Sequence, residues 1–306
     1  MAESIDYRVG TASWTDPTLL ATDFYPARAR TAEARLRYYA ENFRTVEVDS
    51  SYYALPSERN AQLWVRRTPD DFDFNIKAFA LLTGHAAETR ALPKEVKALI
   101  GAEALRQTRI EKPGRAVLDL CFAMFREAIA PLHQAGKLGC VLFQFPPWVK
   151  ASRRNHEYID FCREQLPDYR LAIEFRHSSW FDGNCDATLG FLRARQLPLV
   201  SLDAPAAPAI PRPPFETTAD VAYVRLHGRN RDAWFHRGGT AADRFNYLYS
   251  DTELAECAAR IRTLRGAKKV YVLFNNCHED KGVRNATTMR RLLEASDEPQ
   301  SDPISR

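Results

Sequence analysis

The sequence lacks the short motifs from which chemistry is most directly read. It has no Cys-x-x-Cys pair, no Gly-x-Gly-x-x-Gly loop, no Walker loop and no Gly-x-Ser-x-Gly elbow. The local arguments for a zinc ribbon, a dinucleotide fold, a P-loop NTPase and an α/β-hydrolase therefore fall away. No His-x-His or His-Glu-x-x-His ligand pair occurs, so neither a metal nor a cofactor is expected. The six cysteines are scattered, several of them in apolar patterns, and read as reduced core residues rather than disulfides. No apolar run reaches the length a membrane span needs, and the opening "MAESIDYRVG" has no apolar leader core, so a cytoplasmic location is expected. A strong charge of one sign is missing too. With 43 basic and 39 acidic residues the net charge is only +4, which gives no overall field for nucleic acid or an anionic membrane.

What is present is alternation. Short β-branched or aromatic runs exchange with amphipathic helical patterns along the whole chain, the sign of βα units and a parallel sheet. Strands are expected at Tyr7–Thr11, Thr45–Val48, Phe72–Ile76, Gly139–Gln144, Leu171–Phe175, Pro198–Leu202, Ala222–Leu226 and Lys269–Phe274. Helices are clearest at Ala32–Asn42, Glu58–Arg67, Leu118–Gln134, Arg154–Gln165, Ala187–Arg195, Asp251–Leu264 and Asn285–Ala295. With no linker between them, eight such units suggest a single (β/α)₈ TIM-like barrel over residues 1–296, with 297–306 as a tail; a doubly wound open sheet is the alternative. Long segments follow strands three, six and seven, at Ala78–Gly114, Ala204–Asp220 and Arg229–Ser250. In a barrel these lie over the face where active sites form.

The strands are also too polar. Parallel strands covered on both sides should read as continuous apolar runs. Here Val46 and Val48 alternate with Glu47 and Asp49, and Ile173 and Phe175 with Glu174 and Arg176; in "AYVRLHGRN", Ala222, Val224 and Leu226 alternate with Tyr223, Arg225 and His227. The apolar parity belongs against helices, so the charged parity belongs inside. Near the carboxyl ends that places the acids Glu47, Asp49, Glu174 and Asp203 with the bases Lys77, Arg176, Arg225 and Arg229, beside Gln144, His227, Asn275 and Asn276. Charges taken out of water are costly unless paired, so opposite signs there bind one another as well as a ligand.

Several ordered motifs carry a likeness to a known family. "GTASW" at Gly10–Trp14, "DFYP" at Asp23–Pro26, "YYAENFRTVEVDSSYYALPS" at Tyr38–Ser57, "DFDFNIKA" at Asp71–Ala78, "LGCVLFQFPP" at Leu138–Pro147, "AIEFRHSSWF" at Ala172–Phe181, "AYVRLHGRN" and "FNNCHEDKGVRNA" at Phe274–Ala286 resemble those of the DUF72 (YecE-like) family. The resemblance implies a TIM-like barrel in a family without an established activity. After "FNN", where many members have an aromatic or His, this chain has Cys277 and then His278.

From the residues themselves, paired carboxylates suggest acid/base work of a hydrolase or isomerase, with Glu174 first and Glu47, Asp203 and His227 beside it. The bases Lys77, Arg176, Arg225 and Arg229 suit a small anionic substrate such as a sugar phosphate or nucleotide-like molecule. Trp14, Tyr53 and Trp180, with Tyr52, Trp148 and Trp234, fall in loops just past strands as candidates for stacking a ring, and with Gln144, Asn275 and Asn276 complete the expected binding set. His85, His133 and His156 read as surface or structural. The competing readings are a non-catalytic module for single-stranded nucleic acid or a nucleotide, and a scaffold whose ion pairs have no activity.

Overall fold

Eight parallel strands run where the alternation puts them: β1 Asp6–Thr11, β2 Thr45–Val48, β3 Asp73–Lys77, β4 Leu138–Gln144, β5 Leu171–Glu174, β6 Val200–Asp203, β7 Val221–Leu226 and β8 Lys269–Phe274. A computed structural model of the protein describes residues 5–206, 210–232 and 244–295. The tail expected over 297–306 lies outside the described residues, as does Trp234. The strands form two four-stranded sheets, in the orders β1-β8-β7-β6 and β2-β3-β4-β5. Isolated parallel bridges join them at both edges, Ala12 with Glu47 and Ile173 with Leu199.

Helices follow most strands, and several start on side-chain caps. Thr31 accepts from the Ala34 amide at 3.1 Å, and Ser57 accepts from Asn60 at 3.2 Å. Ser250 and Glu253 form a reciprocal capping box that opens the helix Asp251–Ile261. Among the described residues no helix is long and apolar enough to cross a membrane, and all six cysteines are free. The segment after β3 carries an antiparallel two-residue ribbon, Ala87–Glu88 with Arg109–Ile110, between short helical turns.

Side-chain parity divides the interior in two. Val46, Phe74, Val141, Ile173, Val224 and Val272 enter the main core between sheets and helices. Cys140, Leu142, Ala172, Leu202, Tyr223 and Leu273 form a separate cluster between the two sheets. Below that cluster, toward the amino ends of the strands, Asp73 accepts from Lys269 at 2.7 Å and from the Tyr271 hydroxyl at 2.9 Å. Above it, toward the carboxyl ends, lies the charged set.

One edge where the sheets meet leaves no room for a side chain. A Cβ at Gly10 would sit 2.2 Å from the Thr45 carbonyl oxygen, a backbone atom that cannot swing away. The Tyr39 hydroxyl closes the same edge, held to Thr11 at 2.9 Å and to the Thr45 carbonyl at 3.2 Å. Gly10→Ala is therefore expected to force β1 from β2 and to cost about 3 kcal/mol or more. Urea unfolding of the variant beside the wild type checks this; an unchanged midpoint would show that the edge yields freely.

Candidate functional site

The charged set gathers at the carboxyl ends of the strands around one buried guanidinium. Arg225, fully buried on β7, donates to Glu47 of β2 at 2.5 Å and to Glu174 of β5 at 2.7 Å. Glu47 also accepts from the Tyr223 hydroxyl at 2.7 Å. Glu174 accepts from the Gln144 amide at 2.7 Å and is ion-paired with Arg176, two residues on. Lys77, at the end of β3, pairs with Asp49 at 3.1 Å and lies over the Tyr52 ring. Period-two alternation is why these side chains meet: each shares the inward parity of its strand.

Environment pushes the two glutamates apart. Burial drives Glu47 up, and one arginine beside it with Asp49 nearby leaves its carboxyl at about 7. Burial acts on Glu174 in the same sense, but Arg176 and Arg225 together outweigh it and hold that carboxyl well below the usual range. Asp49 is held low against its own burial by Lys77 and Arg225. His227 is fully buried, and burial with Arg176 and Arg225 keeps it far below its ordinary value, so the ring is neutral. Its two ring nitrogens face the Arg176 guanidinium, 3.3 Å from Nε2, and the Asn275 side-chain amide nitrogen, 2.8 Å from Nδ1.

Beside this centre opens a cavity of about 330 Å³. Gln144 and Arg176 form its floor, His85 and the Pro146–Pro147 turn one wall, and Ile210–Pro211 with Arg244 and Phe245 the other. His85 reports its potential: burial, then Lys77, Arg176 and Arg109, lower its pKa to about 4. The cavity is electropositive. Among the described residues no three His, Cys, Asp or Glu side chains are grouped to hold a metal; Glu47, Asp49 and Glu174 each face a cation of the protein instead.

Some expected members stand elsewhere. Asp203 is on the outer face of β6, because the register pairs Val200 with Tyr223 and Leu202 with Arg225 and so turns those two inward. There Asp203 accepts both arms of Arg229, at 3.0 and 2.9 Å, and the Tyr249 hydroxyl at 2.8 Å. Asp203 and Arg229 thus form a second cluster apart from Arg225. Trp14 is buried against Trp64 and Phe74, and Trp180 is buried on Phe175 with its Nε1 donating to the Val149 carbonyl at 2.8 Å, so both are core. The Asn276 amide nitrogen donates to the Tyr247 carbonyl and the Asn285 side chain, while its buried Oδ1 has no hydrogen-bond partner among the described residues. Tyr53 is exposed, at the end of the 3₁₀ turn Asp49–Tyr52. Sequence reasoning missed His85 as a cavity wall and Tyr223 as the second support of Glu47. Tyr223 had a signal in its parity with Arg225; His85, deep in a long loop, had none.

A family model described as "Protein of unknown function DUF72" matches residues 8–305. The chain belongs to the DUF72 family. It is 30% identical over 293 residues to UPF0759 protein YunF of Bacillus subtilis, covering 94% of each chain. Among solved structures it resembles a DUF72 family protein of Enterococcus faecalis, with TM-score 0.76, 26% identity and coverage of 94% and 95%. A Thermotoga maritima DUF72 protein gives TM-score 0.74 at 31% identity, over 94% of this chain and 99% of that one.

Two stability measurements probe the centre. Arg225→Met leaves Glu174 and Glu47 buried without their shared cation and is expected to cost roughly 3–5 kcal/mol at neutral pH, read by urea unfolding. Glu47→Gln isolates the raised carboxyl. Its folded pKa of about 7 against an ordinary 4.5 means that its contribution is complete below about 4.5 and lost as pH rises through 7. Relative to the non-ionising variant, the wild type should therefore lose up to about 3 kcal/mol between pH 4.5 and 8. A pH-independent difference between the two would mean that Glu47 does not carry this proton.

Proposed function

We propose that the two bridged sheets close into one (β/α)₈ barrel and that its carboxyl-terminal mouth is the active site of an enzyme of hydrolase or isomerase type acting on a small anionic substrate. The observation that carries this reading is the separation of Glu47 from Glu174 across a shared Arg225, beside an electropositive cavity. Two carboxyls whose environments force their proton affinities apart are the arrangement acid/base chemistry uses. Glu47, near neutrality, is the proton carrier. Asp49, a quarter exposed and within the same charged group, is its route to the mouth. Glu174 stays ionised and anchors Arg176 and Arg225, so the acid/base role passes from it to Glu47.

The charge balance selects the ligand. With Glu47 protonated, the three cations Lys77, Arg176 and Arg225 face the two anions Asp49 and Glu174, and one positive charge is left over for a ligand. Most buried donors of a folded protein are hydrogen-bonded, so an unpaired one within a charged site is a place where a ligand or water can be received. Here Arg225 Nε has no hydrogen-bond partner among the described residues.

Sulfate tests the reading without a known substrate, since it does not titrate near neutrality. Calorimetry is expected to show sulfate binding that weakens at least tenfold in Arg176→Met and is unchanged in Arg229→Met, whose side chain serves the outer cluster. An anion beside Glu47 raises its pKa further, so binding at pH 7.5 should take up a fraction of a proton, seen by comparing buffers of different ionisation heat. Glu47→Gln should abolish the uptake. Absent binding, or sensitivity to Arg229 alone, would overturn the proposal.

A further inference from the structure

Two large aromatic side chains stand in solvent at the ends of a row of rings that passes the cavity, on backbone that holds them there. Tyr53 is 68% and Trp148 64% exposed; among the described residues the other exposed large apolar side chains are Leu99 and Leu248. An exposed indole fixed beside a cavity is a surface on which a flat ring can stack. Neither is on a loose loop. Trp148 follows Pro146–Pro147, in a turn closed by the Val149 amide donating to the Pro146 carbonyl at 3.0 Å and by the Trp180 indole donating to the Val149 carbonyl. Tyr53 caps the 3₁₀ turn Asp49–Tyr52, its amide donating to Ser50.

Between them the row is continuous. Trp148 meets His85 at 5.7 Å between ring centroids, His85 meets Tyr52 at 5.3 Å, and Tyr52 meets Tyr53 at 5.1 Å, every contact edge-to-face. His85 is fixed by Thr83 at 2.7 Å and, with its pKa lowered to about 4, is an uncharged ring. The row also leads into the charged centre: His85 lines the cavity with Gln144 and Arg176, and Lys77 lies 4.9 Å from the centroid of Tyr52. Flat faces outside and positive charge within fit one molecule with two unlike ends.

We infer that the substrate is a nucleoside phosphate, its anionic group in the cavity at Arg176 and its base stacked on Trp148, which follows the Pro146–Pro147 wall of that cavity. This rests on the reading of the mouth as an anion site and adds the second half of the ligand. Stacking on an aromatic face tolerates any base, so the rim sets affinity rather than base choice. A flat heteroaromatic ring gains from Trp148, whereas a sugar phosphate engages only the cavity.

Adenosine 5′-monophosphate, adenosine, ribose 5-phosphate and sulfate separate the two halves. The monophosphate should bind roughly tenfold or more tighter than ribose 5-phosphate, the increment a stacked base supplies. It should also quench the fluorescence of Trp148, with the quench missing in Trp148→Ala. That variant, altered only at an exposed side chain, should bring the monophosphate to the affinity of ribose 5-phosphate and leave ribose 5-phosphate and sulfate unchanged. Equal affinities for the monophosphate and ribose 5-phosphate, or equal losses of both in Trp148→Ala, would overturn the inference, as would no binding of monophosphate or adenosine. Adenosine binding that depends on Trp148, with sulfate and ribose 5-phosphate inert, would sink the anion reading while sustaining the stacking rim.

Discussion

Everything at the mouth depends on a single guanidinium having been taken out of water. Arg225 ties β7 of one sheet to β2 and β5 of the other through Glu47 and Glu174, and among the described residues no other cation is ion-paired with both. A buried charge triad of this kind is a poor way to gain stability, because desolvation of three ions offsets most of their attraction. What it does instead is create inequality. Glu174 has a second arginine and Glu47 a phenol, and that one difference decides which carboxyl holds a proton near neutral pH. The neutral His227 and the ion-paired Lys77 follow from the same crowding of positive charge.

How much of this could be read from residue order varies strand by strand. On β2, β3, β5 and β7 the apolar residues share one parity and the charged residues the other, and the charged parity does point between the sheets. On β6 the rule inverts. Val200 and Leu202 turn inward against Tyr223, and Asp203 turns out, because a receiving group exists outside: Arg229 and the Tyr249 hydroxyl, separated from Asp203 by 26 and 46 residues. Alternation states which residues share a face; it does not state which face has the partner. The aromatics were harder still. Trp14, Trp180 and Trp148 all sit just past strand ends, yet two complete the core and one stands in solvent. The difference lies in contacts such as that of Trp180 with Val149, which no local pattern encodes.

The loops divide the labour. The segment after β3 brings His85 to the cavity, and the Pro146–Pro147 turn after β4 completes the same wall. Rigid strands hold charge, and the segments beyond them set the shape of the opening. Ile210 and Pro211 also line a neighbouring cleft of about 530 Å³ beside Arg212, Arg229 and Arg260, so a single stretch of chain partitions the mouth from the outer arginine cluster.

The pairing of the first strand with the last has a temporal side. β1 lies between β8 and the edge of β2, with Asp6 opposite Lys269 and Thr11 opposite Phe274. A chain made from its amino end completes β2 to β5, and with them the carboxylates Glu47 and Glu174, well before Arg225 exists. Until β7 and β8 emerge, those acids have no cation from that side, and β1 has no partner along its length. The shared cation of the two glutamates and the partner strand of β1 both belong to the last third of the chain, so neither contact is available to the earlier strands while they are being made.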